Sequence, residues 1–115
     1  MDEGIINFEP LKEIIGSNKE DMGEFYNLFK EQTELDISDF RKFIAEKNLD
    51  ETAKIAHKMK SSYGSLGSAA AYETLANLEK AAIENDEIGK IELLFKKYLE
   101  INEKIKKEFE NYLKN

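Results

Sequence analysis

Ala56-His57-Lys58-Met59-Lys60-Ser61-Ser62-Tyr63-Gly64-Ser65-Leu66-Gly67 is the most informative stretch of the chain. At about 100° per residue, a helix through these positions sorts its side chains onto two faces. Ile55, Met59, Ser62 and Leu66 cluster on one side, flanked by Thr52, Ala56 and Tyr63. His57, the sole histidine of the sequence, projects from the opposite side, so its own helix does not bury it. Its neighbours at i−4, i+3, i+4 and i+7 are Ala53, Lys60, Ser61 and Gly64. All but Lys60 are small, which leaves a low rim around the imidazole.

The flanking segments read as further helices. Upstream, Asn48 is a candidate cap for the His57 helix, with Glu51 in capping-box position. Downstream, Gly67 ends that helix near residue 66, and Ser68 is a candidate cap for another over about 69–84. A last helix carries Ile88, Ile91, Phe95, Tyr98, Ile105 and Phe109 at helical spacing. Apolar residues from Met22 to Ile44 recur in the same way and predict a long helix from 19 to about 47. A short helix over 8–15 has Pro10 at its expected first position and Gly16 at its end. Connections this short make neighbouring helices antiparallel. The fold class expected is all-α: an antiparallel up-down four-helix bundle with a short extra N-terminal helix across one end. The Phe, Tyr and Met positions read as its core rather than as a cofactor box. No linker, repeat or low-complexity tract interrupts the chain, and one domain is expected over 1–115.

Composition narrows the class of function. With 41% apolar and 36% charged residues and one Pro, the 115 residues suit one soluble, helix-rich core. The absence of cysteine excludes disulfides, thiolate nucleophiles and Cys-based metal sites. No apolar run approaches membrane-spanning length and the first residues are acidic, so a cytoplasmic location is expected. The net charge of −7 repels nucleic acid, and the short Lys96-Lys97 and Lys104-to-Lys107 clusters are surrounded by Glu.

The chemistry available centres on His57. A histidine side chain ordinarily titrates near about 6.5, so much of it is neutral near neutral pH, with a ring nitrogen free to attack phosphorus. Such covalent catalysis divides one difficult transfer into two easier ones. Lys60, one turn along, brings an ammonium to the same face. Glu79 falls within an apolar sector of the following helix, formed by Ala71, Tyr72, Leu75, Leu78, Ala82 and Ile83. A carboxylate there calls for a partner. It either faces the His57 helix, pairing with Lys60 or with an imidazole nitrogen, or reaches solvent at the rim.

At these residues the sequence resembles the histidine-containing phosphotransfer (HPt) domain family. Ala56-His57, Met59, Lys60, Ser62, Leu66-Gly67 and Leu78-Glu79 match the family's core pattern in order and spacing. The resemblance extends more weakly over the rest of the chain. It implies a phosphocarrier with a phosphohistidine intermediate rather than an enzyme, either free-standing or a module of a hybrid sensor kinase. His57 would accept a phosphoryl group from a receiver-domain aspartate and pass it to another receiver, with Lys60 supporting that group. The partners implied are response-regulator receiver domains and a sensor or hybrid histidine kinase; the small rim of Ala53, Ser61 and Gly64 is the docking surface expected for them. No nucleic acid, membrane or cofactor is implied, a monomer is expected, and Mg²⁺ belongs to the receiver. Two positions depart from the pattern: Ser61 stands where Gly is usual, and Ala71 where a larger apolar residue is common.

Other readings are weaker. A non-phosphorylated helical adaptor would keep the fold but has no use for both His57 and Lys60. A helical di-metal hydrolase needs Glu-x-x-His pairs from separate helices, and one histidine cannot supply two. Gly64-Ser65-Leu66-Gly67 has the spacing of an RNA-clamping loop, but its helical setting and the acidic charge oppose that use.

Overall fold

A computed structural model describes residues 6–114. They form five helices: α1 (Phe8–Ile15), α2 (Lys19–Ala45), α3 (Leu49–Leu66), α4 (Ala69–Ile83) and α5 (Ile88–Lys114). Local chemistry starts most of them. The side chains of Asn7, Asn18, Asn48 and Ser68 each accept a first-turn backbone N–H of α1, α2, α3 and α4 respectively. Each such cap stabilises its helix by about 1 kcal/mol. Pro10 is the third residue of α1 rather than the first, because Asn7 caps the helix earlier. Its missing N–H is still one that no helical carbonyl would have met. At Asn48, half of the expected capping box forms: Asn48 accepts from the Glu51 N–H, while the Glu51 carboxylate turns to Lys54 at 3.5 Å.

Three helices end in the same wrapped turn. The backbone N–H groups of Asn48, Ser68 and Asp86 reach back to the carbonyls of Phe43, Tyr63 and Ala81. The pivots are Lys47, Gly67 and Asn85, all at positive φ. Lys47 and Asn85 accommodate this with a side chain, and the turns at these residues end α2 and α4 slightly before the expected 47 and 84. Gly67 has a further constraint. A Cβ there would be driven into the backbone carbonyl of Asn7, whose N–H donates to the Gly67 carbonyl at 2.9 Å.

Side-chain pairs fix the topology. Tyr26 stacks on Phe109 and Phe40 on Phe95, so α2 and α5 run antiparallel. Phe29 meets Tyr63 and Asp36 meets Lys58, so α2 and α3 do the same. The α3 helix packs on α4, α4 on α5, and α5 back on α2, closing an up-down bundle. The α1 helix lies against the end where α3 and α5 finish, with Phe8 stacked on Tyr112 and edge-on to Phe109. Phe40, Tyr63, Leu75, Leu78, Tyr98 and Phe109 are among the core side chains fully removed from water. Each contributes about 1.5–3 kcal/mol by burial.

The core also holds a polar network. The Tyr63 hydroxyl bonds the Tyr98 hydroxyl and donates to Asn102 Oδ1 at 2.7 Å, tying α3 to α5. Burial pushes both phenols well above their ordinary range. Among the described residues no fully buried side-chain N or O atom lacks a partner. None of the described helices is long and apolar enough to cross a membrane.

Candidate functional site

His57 lies midway along α3 on the face turned towards α4. Ala56, Met59 and Tyr63 on the other faces of the same helix are buried. The imidazole side chain is 69% exposed. One of its nitrogens is held: Nδ1 lies 2.8 Å from Glu79 Oε2. The other carboxylate oxygen, Oε1, accepts from Lys60 Nζ at 2.7 Å. Glu79 thus joins the two α3 side chains from α4, one on each oxygen. The two partnerships that the sequence left as alternatives coexist, because a carboxylate has two oxygens to offer.

Helix geometry explains the arrangement. His57 and Lys60 are three residues apart and so adjacent on α3. Glu79 sits at the rim of the buried face of α4, whose core positions Leu75, Leu78 and Ala82 press α4 onto its neighbours. Its side chain is 17% exposed and that of Lys60 19%, so the pair is shielded from water while the imidazole is not. Lys60 therefore departs from the open face expected of it: it leans across to α4 and is largely covered. The hydrogen bond from Lys60 is the main cause holding the Glu79 carboxyl below its ordinary range, with a further contribution from His57. The Glu79 bond in turn raises the Lys60 ammonium above its ordinary value.

The surroundings divide into open and covered parts. Ser61 is exposed, its hydroxyl donating to the Lys58 carbonyl at 3.1 Å, and Ala53 is half-buried. Gly64 is exposed, but a Cβ there would lie 3.4 Å from Tyr72, so an aromatic edge from α4 borders it. Tyr72 and Ile83, assigned with Glu79 to an apolar sector, are in fact exposed, at 41% and 63%. The buried sector of α4 is narrower: Ile83 is the last residue of the helix, and Tyr72 lies at the edge of the α3 contact, against Gly64, rather than beneath it. Ser62 likewise leaves the apolar cluster and is exposed. It lines a groove of about 390 Å³ between α2 and α3, with Met59 beside it and Phe25, Leu28 and Asp36 opposite.

One pair next to the site had no clear sequence signal. Asp36, buried on α2, accepts from Lys58 Nζ and from Gln32, each at 3.0 Å. The available hint was an acidic residue in the stripe Phe29, Thr33, Asp36 and Phe40. No group of three or more metal-ligating side chains is placed to hold an ion among the described residues.

His57, Glu79 and Lys60 define a class of antiparallel helical module that presents one solvent-facing histidine backed by a carboxylate and an ammonium. The family model for the Hpt domain matches residues 24–112, and the chain belongs to that family. Hpt domains serve histidine phosphotransfer in phosphorelays and are phosphocarriers rather than enzymes. No curated protein and no solved structure gives a significant match to the chain.

Proposed function

We propose that His57 is the phosphoryl relay point of this Hpt domain, taking the group from a receiver-domain aspartate and returning it to another receiver. The observation that carries the reading is the imidazole itself: largely exposed, with Nδ1 engaged by Glu79. A carboxylate partner on Nδ1 favours the tautomer with the proton there, which leaves Nε2 with a lone pair as the nucleophile. Tautomer assignment follows from this hydrogen bond.

In the forward step, Nε2 attacks the phosphorus of the aspartyl phosphate. The N–P bond forms, the O–P bond breaks, and the aspartate carboxylate departs. The Nδ1 proton stays on the ring, and Glu79 stabilises the positive charge that develops as Nε2 bonds phosphorus. The Lys60 ammonium, one turn away, offsets the charge on the phosphoryl oxygens. Transfer onward reverses these bonds.

The reading takes residues 1–115 as one module, acting free-standing or within a hybrid sensor kinase, and a cytoplasmic location goes with it. Receiver domains dock over Ala53, Ser61 and Gly64. Mg²⁺ and the acidic pocket come from the receiver; the domain itself uses no cofactor.

A pulse-chase experiment tests the relay. The protein is loaded from a phosphorylated receiver, repurified, and mixed with a second, unphosphorylated receiver. Label passing through wild type but not through His57→Gln supports the relay. Receiver binding without label on the wild type identifies an adaptor instead.

A further inference from the structure

Tyr72 places a large aromatic side chain beside the His57 site. It projects from α4 with 41% of its surface exposed, so core packing does not account for it. Two contacts define its position. Its Cδ2 and Cε2 border Gly64, where an added Cβ would lie 3.4 and 3.6 Å from them. Its ring centroid lies 5.8 Å from Lys60 Nζ. Gly64 and Lys60 are four residues apart and share one face of α3. Tyr72 and Glu79 are seven apart and share one face of α4. Lys60 therefore reaches from α3 onto a stripe of α4 that offers a carboxylate towards one end and an aromatic ring towards the other.

We propose that Tyr72 is a positioning residue for Lys60. Its ring, which lies against Gly64, restricts the lysine to the rotamers that keep its ammonium at Glu79 and beside His57. A lysine side chain has several freely rotating bonds, and ordering it costs entropy unless neighbours already limit its choices. Glu79 supplies one restraint through the bond at 2.7 Å. The ring supplies a second, by bulk and by attraction between cation and π-face at close to the longest effective separation. The observed 19% exposure of the Lys60 side chain is the outcome of both. When a phosphoryl group arrives on His57, the ammonium is then already within a short swing of it. Gly64 leaves the ring its place: an added Cβ would just touch the ring at 3.4 and 3.6 Å, and only a side chain longer than that of Ala competes with it.

The proposal rests on the phosphorelay reading for its kinetic consequence, but not for its structural one. Three variants separate the two: Tyr72→Leu keeps apolar bulk without the ring, Tyr72→Phe keeps the ring, and Lys60→Met removes the ammonium. The first measurement is the side-chain NMR relaxation of Lys60 Cε in the free protein. Greater Lys60 mobility in Tyr72→Leu, restored in Tyr72→Phe, is the expected result. Equal mobility in wild type and Tyr72→Leu overturns the proposal, whether or not the protein carries phosphate.

The second measurement is the rate of transfer from a phosphorylated receiver at saturating receiver concentration. Tyr72→Leu lowers it by about threefold, the scale of an exposed cation–π contact, with Tyr72→Phe near wild type. In the Lys60→Met background the Tyr72→Leu effect disappears. A loss of the same size in that background shows that Tyr72 acts through docking rather than through Lys60, and overturns the proposal. Absence of transfer by the wild type contradicts the phosphorelay reading alone, and the relaxation result then decides the positioning role.

Discussion

Glu79 Oε2 lies 2.8 Å from His57 Nδ1, and the same carboxylate binds Lys60 through its other oxygen. The carboxylate is shielded while the ring it holds is exposed, the arrangement expected if Glu79 orients an imidazole that His57 presents to a partner. In Glu79→Gln the neutral amide either donates to Nδ1 or accepts weakly from it, and the tautomer preference falls. Transfer to His57 slows by roughly tenfold, the lower end of what loss of a histidine's orienting partner costs at metal sites. Nitrogen-15 NMR of the imidazole reports the shift from the Nδ1–H to the Nε2–H form. An unchanged tautomer with an unchanged rate contradicts the role of Glu79.

The same trio predicts a pH window for stability. Lys60, and secondarily His57, depress the Glu79 pKa below its ordinary value of 4.5. The stabilisation is therefore complete above that value and is lost as pH falls through the lower, folded-state value. Lys60 is displaced upwards from 10.5, chiefly by Glu79. Its contribution is complete below 10.5 and is lost as pH rises through the folded value. Urea titrations of wild type and Glu79→Gln should differ most near neutrality and converge in acid, once the pH has fallen through the depressed Glu79 value. A difference that persists undiminished in acid contradicts the linkage.

Lys60→Ala removes the ammonium while leaving Glu79 on His57. Transfer from a receiver slows, and the fold stays intact with a melting temperature within about 5 °C of wild type. Stopped-flow transfer kinetics alongside thermal unfolding separate the two effects. Unchanged transfer contradicts the assigned role, and a cooperative unfolding transition lost altogether contradicts its place outside the bundle core.

Gly67 offers a test of the fold. Gly67→Ala meets both a left-handed backbone conformation and the Asn7 carbonyl, and costs about 2–4 kcal/mol. Lys47→Gly, at the corresponding pivot after α2, is neutral or slightly stabilising, because it relieves a positive φ without any clash. Urea unfolding of both variants is the measurement. A Gly67→Ala loss below about 1 kcal/mol contradicts the docking of the segment before α1 onto the end of α3.

Much of this architecture was legible in the sequence because it rests on periodicity and caps, which are local. Asn48, Gly67 and Ser68 mark helix ends by their own chemistry, and the apolar stripes from Met22 to Ile44 and from Ile88 to Phe109 define which faces turn inward. Pro10 was misplaced by two positions because Asn7, which starts α1, looks like any loop residue until its side chain is seen accepting from Glu9. Ser62, Tyr72 and Ile83 show where a helical wheel runs out: it gives a direction for each side chain but not how far the neighbouring helix extends over it. Glu79 was marked by a charge within an apolar sector, while its two simultaneous bonds depend on the separation of α3 and α4. Asp36–Lys58 and Tyr63–Tyr98–Asn102 join residues 22 to 39 positions apart, a range over which local pattern carries no pairing information.

In the proposed relay, Nε2 of His57 carries the phosphoryl group. Incubating the protein with phosphorylated receivers, then comparing acid-labile, base-stable phosphate on wild type and His57→Gln, tests it most directly. The expected result is label on the wild type, none on His57→Gln, and a phosphorus–nitrogen coupling to Nε2 in the labelled imidazole. Label retained on His57→Gln, or found on Nδ1 of the wild type, would contradict it.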